Sequence, residues 1–272
     1  MAIISICRGT KSGGQSMAEC LAEQLHYPLV AREVLQHAAS DLGVTEEGLS
    51  REWERTPRLW SRRSSEQRLY ITAVQAALAE HVAGGDLIYH GRAGQVLLKG
   101  LPGVLRLRLI APISARVRTV METEGMDEAS AEQYIQHVDG VRARWIKTMY
   151  GEDIDDPVLY NMVINLRTLS LPAACNIVTK AVQQPDFAVT DDVRTKLLDF
   201  RLACRVKLAL AKADDTRALD LRIEAHEGEL DVFGSAPTLK SGDVGERIVE
   251  IAHSVAGVEA VHLQLEWFDP YP

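Results

Sequence analysis

The first sixteen residues hold the clearest chemistry in this chain. An apolar run, Ile3-Ile4-Ser5-Ile6-Cys7, leads into Arg8-Gly9-Thr10-Lys11-Ser12-Gly13-Gly14-Gln15-Ser16 and then into a helical pattern. The spacing Gly9-x-x-x-x-Gly14 followed by Gln15-Ser16 is that of a phosphate cradle. Its glycines let successive backbone N–H groups point into one concavity, and the helix that follows adds the positive end of its dipole. Ser16 stands where a hydroxyl ligates Mg²⁺. The lysine that usually follows the last glycine is Gln15 here, so the cation expected at the outer phosphates is displaced. The alternative for the same glycines is a tight strand-to-helix turn with no ligand.

The elements that must position this loop follow from periodicity. Met17, Cys20, Leu21 and Leu25 recur on one face of a helix over residues 16–26. Strands are expected over 2–7, 87–90 and 105–110. Further helices are expected over 32–41, within 65–82, and over 113–124, 128–146 and 172–182. Alternating short apolar runs and amphipathic helices give an α/β fold, a mainly parallel sheet flanked by helices. Arg92 follows a glycine at the end of a strand, where such sheets bind ligands. His90 beside it reads as packing. Residues 46–64 are polar, with arginines and tryptophans from Trp53 to Arg63. They read as a flap on the substrate side, a solvated surface, or a contact between copies in a homo-oligomer.

The character changes near Pro185-Asp186-Phe187, dividing the chain into 1–186 and 187–272. Beyond the boundary the pattern gives a helix over 192–212, strands over 219–224 and 229–233 joined at Glu227-Gly228, a helix over 244–255 and a strictly alternating strand over 261–266. This α-β-β-α-β order describes a small α+β module able to close its own core. From Asp191 onward it carries 16 acidic against 10 basic residues, most of the excess negative charge of the chain.

At 272 residues, 46% hydrophobic and 25% charged, the chain has an ordinary globular composition. Its formal charge of −8 argues against a general nucleic-acid or anionic-membrane binder. No apolar run reaches the length of a membrane span, and the short N-terminal apolar stretch lacks a basic segment before it, so a cytoplasmic location is expected. Cys7, Cys20, Cys175 and Cys204 show no paired spacing and read as reduced core residues. The eight histidines are not spaced for zinc.

Several stretches in order resemble the cytidylate kinase-like family of P-loop nucleoside monophosphate kinases. They are Ile3 to Gly14, Leu25-His26-Tyr27-Pro28, Arg32-Glu33, Ile88-x-x-Gly91-Arg92, Ala111-Pro112 with Arg116, Asp139-Gly140-Val141-Arg142-Ala143-Arg144, Asp155-Asp156-Pro157, Leu159-Tyr160 and Ile164-Asn165. The resemblance covers roughly residues 2–182. It implies ATP over the loop, with Gly9, Ser12, Gly13, Gly14, Gln15 and Ser16 at its phosphates and Mg²⁺, and Arg116 near the donor nucleotide. Arg32 and Arg92 would bind an acceptor nucleoside monophosphate, CMP or dCMP by default. Arg142 and Arg144 would close from a lid onto the transferring group, oriented by Asp139. Residues 200–267 resemble a BON domain through Gly228-x-Leu230-x-Val232-Phe233-Gly234 and Ala252-x-x-Val255-Ala256-Gly257-Val258-x-x-Val261.

Three positions depart from the kinase pattern. Gln15 replaces the basic residue, Ala31 stands before Arg32 where an acid is usual, and Ala93 follows Arg92 where an aspartate is usual. Lys11 or Arg8 is then expected to supply the missing charge from the other side of the loop. The arginines point to a phosphotransferase. The departures point to the alternative, a non-catalytic nucleotide-binding sensor whose C-terminal module reads a second ligand.

Overall fold

The computed structural model describes residues 2–54, 65–237 and 241–268. It contains strands β1 (Ile3–Arg8), β2 (Leu29–Val30), β3 (Leu87–Tyr89), β4 (Val104–Ile110), β5 (Met162–Asn165), β6 (Leu221–His226), β7 (Glu229–Pro237) and β8 (Ala260–Phe268). Its helices are α1 (Gly14–Leu25), α2 (Arg32–Leu42), α3 (Glu46–Glu54), α4 (Ser65–Val82), α5 (Gly94–Leu97), α6 (Ile113–Glu124), α7 (Glu128–Tyr150), α8 (Leu171–Val182), α9 (Asp191–Lys212) and α10 (Ser241–His253).

The larger sheet is parallel, in the order β2-β3-β1-β4-β5. Strand β1 lies between two neighbours and is covered on both faces, which is why it reads as a near-continuous apolar run. Ile3 pairs with Leu87 on one side and Val104 on the other, so β1 and β3 end along the same edge. Met17, Ala18 and Leu21 of α1 pack into the core of this sheet with Ile4, Ile6 and Leu107. Helices α6 and α7 form a hairpin around Val117, Val120, Ala131 and Ile135. Gly125 ends α6 in the left-handed region, and the Asp127 carboxylate caps α7 by accepting from the Ser130 N–H at 2.9 Å.

The C-terminal strands form a second sheet in the order β6-β7-β8. Strands β6 and β7 are antiparallel across the Glu227-Gly228 turn, where both residues have positive φ, and β7 and β8 are parallel with α10 as the crossover. Val206, Leu230, Val232, Ile248 and Ala252 fill their core. This is the expected α-β-β-α-β order. The described parts of residues 1–34, 50–61 and 84–190 form one compact unit. Those of 35–49, 62–83 and 191–272 form the other, in which α4 packs against α9 and Glu80 pairs with Arg205. In the arginine and tryptophan stretch, residues 46–54 lie in α3, and residues 55–64 are outside the described residues. Among the described residues no helix is long and apolar enough to cross a membrane.

The cysteines need a correction. Cys7 and Cys204 are free and buried, but Cys20 of α1 and Cys175 of α8 are joined in a disulfide, contrary to the expectation of four reduced thiols. Positions 155 residues apart in sequence become neighbours because α1 and α8 pack side by side, which periodicity alone does not reveal. Reduction is expected to lower stability by about 2–4 kcal/mol through the freed chain. The check is the denaturant midpoint with and without reductant, and a Cys175→Ala variant should not respond.

Candidate active site

The loop after β1 is shaped by close contacts as much as by dihedral freedom. Gly13 takes φ +83° as the residue before α1, a conformation that disfavours a side chain. A Cβ on Gly14 would strike the Arg8 side chain and come within 2.9 Å of His90 Nε2, and one on Gly9 would lie 3.1 Å from the Arg116 guanidinium. Ser12 is buried, and its hydroxyl is 2.9 Å from the Gly9 carbonyl and 3.3 Å from the Leu109 carbonyl, so it braces the loop from within. Ser16 is exposed in the first turn of α1, where backbone N–H groups have no intrahelical partner.

Neither residue nearest the missing lysine faces inward. The Gln15 amide donates to Glu19 one turn along the exposed side of α1, at 2.7 Å. Lys11 Nζ pairs with Glu124 Oε1 at 2.9 Å on the exposed surface, so the structure does not bring Lys11 to the inner face of the loop. Arg8 is there instead, with its stem against Gly14. Burial first, and then the Arg142 charge, draw the Arg8 guanidinium below its ordinary value.

Asp139 on α7 ties the loop to both helices of the hairpin. Its Oδ1 accepts from the Thr10 N–H at 2.9 Å and from the Thr10 hydroxyl at 2.7 Å, and its Oδ2 takes a charged hydrogen bond from Arg116. Arg116 Nε also donates to the Thr10 carbonyl at 2.7 Å. Arg142 Nη1 donates to the Arg8 carbonyl at 3.0 Å and lies 3.4 Å from Asp139. Burial pushes the Asp139 carboxyl up, but the Arg116 and Thr10 hydrogen bonds outweigh it and hold the group below the usual carboxylate range. The Thr10 N–H and the Arg116 guanidinium are thus both engaged by one carboxylate of the chain itself.

Beyond β3, residues 91–94 make a tight turn that aims Arg92. The Tyr89 hydroxyl donates to the Arg92 carbonyl at 3.0 Å, Ala93 sits at φ 59°, and Cβ atoms on Gly91 or Gly94 would strike the Tyr89 ring. His90 is 6% exposed and lies beside the loop, with Nε2 buried and unpartnered among the described residues. Burial, then the Arg8 and Arg142 charges, push its pKa down to about 4.

In the unfolded chain a histidine titrates near 6.5, so between these values the unfolded state binds the extra proton and stability falls as pH falls. The loss expected from His90 is about 3 kcal/mol between pH 6.5 and 4. Denaturant titrations across that range should be flatter for His90→Asn than for the wild type.

Two cavities lie at the end of β1 and share lining residues. One of about 430 Å³ is lined by Arg8, Arg92, Gln95, Tyr134, Arg142 and Trp145, among others. The second, of about 290 Å³, is lined by Arg8, Gly9, Arg108, Arg116, Asp139 and Arg142, among others. Arg8 and Arg142 line both. Of the other expected residues, Arg144 is exposed and lies back over Gly140, and Arg32 is exposed at the start of α2; neither lines either of these two cavities. Arg142 and Arg144 diverge because residues two apart lie on different faces of a helix.

The sequence reading missed Arg108 and Gln95. Arg108 is 9% exposed in β4, donating to Cys7 Sγ at 3.0 Å and to Asp155 at 2.6 Å. Its signal was present, as a charged residue inside an apolar strand of a covered sheet needs a partner. Gln95 in α5 gave no such signal.

Residues 3–168, more than half of the chain, match the cytidylate kinase-like family. A cytidylate kinase from Methanopyrus kandleri is 29% identical over 182 residues, covering 63% of this chain and 88% of that protein. One from Archaeoglobus fulgidus is 25% identical over 181 residues, covering 66% of this chain and 94% of that protein. Among solved structures, an uncharacterized protein from Eubacterium ventriosum superposes with a TM-score of 0.52 at 21% identity, covering 68% of this chain and 99% of that one, a likeness of fold. The family match ends before the C-terminal sheet, which it leaves unassigned. With a phosphate-binding loop, a β2-β3-β1-β4-β5 sheet and this match over residues 3–168, the chain belongs to the cytidylate kinase-like family, which supports nucleotide kinase activity.

Proposed function

We propose that the protein transfers the γ-phosphoryl group of ATP to a phosphate oxygen of a nucleoside monophosphate, giving ADP and the nucleoside diphosphate, with CMP or dCMP as the acceptor. One observation carries this reading: two cavities share Arg8 and Arg142, one at the phosphate loop and the other at Arg92. A group passing between them meets two guanidinia along its path, as transfer of a charged phosphoryl group requires. In this reading the first-turn N–H groups of α1 and Arg116 hold the donor phosphates, and Arg92 holds the acceptor phosphate. Arg8 supplies the charge displaced from Gln15. Ser16 would hold Mg²⁺, which neutralises donor phosphate charge when bound.

The non-catalytic sensor is not favoured, since it gives no role to guanidinia gathered between two cavities. Arg144 and Arg32, expected beside the substrates, are given no substrate role in this reading. For residues 187–272 we retain the BON-like assignment as a proposal, supported by the α-β-β-α-β order. A cytoplasmic location, where these nucleotides are found, is proposed with it.

The test is ADP release in the presence of ATP and Mg²⁺ across CMP, dCMP, UMP, AMP and GMP. Turnover fastest with CMP or dCMP is expected. No release above ATP alone with any acceptor would overturn the reading.

A further inference from the structure

Gln95 is 2% exposed and lines the larger cavity three residues beyond Arg92. Its Nε2 is buried with no hydrogen-bond partner among the described residues. A buried amide N–H left without an acceptor carries a real penalty, so a group that completes it is to be sought in the space it lines. The backbone gives the side chain little room to retreat. Gly94 approaches Ser5 and Tyr89 too closely for a Cβ, and the Tyr89 hydroxyl pins the Arg92 carbonyl.

Tyr134 and His137 also line the cavity but are exposed, whereas Gln95 is its buried amide. Arg8, Arg92 and Arg142 present donors only, suited to phosphate oxygens. Val138, Val141 and Trp145 offer apolar surface, suited to a flat ring. A side-chain amide presents a donor beside an acceptor and pairs with the matching acceptor and donor on the edge of a nucleobase.

We propose that Gln95 reads the base of the acceptor nucleotide, its amide pairing with adjacent hydrogen-bonding groups on the base edge, and so determines which monophosphate is phosphorylated. This rests on the nucleoside monophosphate kinase reading above. Arginines that take phosphate bind every acceptor alike, whereas the amide distinguishes one base edge from another.

The experiment compares the wild type with Gln95→Met, which keeps length and removes the amide, and with Gln95→Asn, which keeps the amide but withdraws it by one carbon. Melting temperature without nucleotide and KM for CMP, UMP, AMP and GMP are measured for each. Gln95→Met should melt higher than the wild type, because the unpartnered amide is gone. KM for the preferred acceptor should rise about tenfold or more in both variants, with KM for ATP unchanged and the preference among bases flattened. If the variants weaken all four acceptors equally and keep the wild-type preference, Gln95 does not read the base. The same holds if neither variant changes any KM. If the wild type phosphorylates no monophosphate and none shifts its melting temperature, the kinase reading falls and this inference falls with it.

Discussion

Replacing Arg142 by alanine is expected to lower turnover by about 10²–10³-fold while ATP affinity changes only a fewfold, and Arg8→Ala should do the same. Both side chains line the two cavities, and so act on charge that develops between donor and acceptor more than on either bound alone. The neighbouring substitutions give the contrast. Arg144→Ala and Lys11→Ala should leave turnover within about twofold, because Arg144 is exposed and lies over Gly140, and Lys11 is paired with Glu124 at the surface. Steady-state kinetics on the four variants checks this. Equal losses for Arg142→Ala and Arg144→Ala would mean that α7 turns on binding nucleotide.

What could be read without the structure depended on how local the cause was. β1, the glycine loop and α1 were legible because strand burial, glycine spacing and helical periodicity all act within twenty residues. The turn at Glu227-Gly228 was legible for the same reason. β2 and β5 were not. One has two residues and the other four, with only Ile164 of the latter buried, so neither leaves a periodic trace.

Side-chain direction was the harder part. Arg142 and Arg144 looked equivalent in a basic run, although helical geometry already separates them by more than half a turn. The choice between Lys11 and Arg8 required the actual path of the loop, since Lys11 takes a left-handed conformation and is drawn to Glu124, 113 residues away. Gln95 was invisible, because only burial without a partner distinguishes it from any helical glutamine.

Removal of the Asp139 carboxylate should disturb both stability and turnover. In Asp139→Ala the guanidinium of Arg116, 13% exposed, and that of Arg142 lose their shared counterion, while the Thr10 N–H and hydroxyl lose their acceptor. Breaking a fully buried pair costs about 3–5 kcal/mol. With the Asp139 side chain 30% exposed, the expected loss is about 2–3 kcal/mol. Turnover should fall by at least about 10²-fold, because Asp139 fixes the guanidinium of Arg142 and the first turn of the loop together.

Asp139→Asn separates charge from shape. Because the wild-type carboxyl is held below its ordinary value, its contribution is present above the unfolded carboxylate pKa and is lost as pH falls through the folded one. Denaturant midpoints should therefore separate wild type from Asp139→Asn at pH 7 and draw together as the solution is acidified below about pH 4. Glu124→Gln provides the control. Its partner Lys11 is at the surface, and the variant should match the wild type in both turnover and midpoint. If Asp139→Asn and Glu124→Gln behaved alike, the contacts of Asp139 with Thr10 and Arg116 would not be holding the loop.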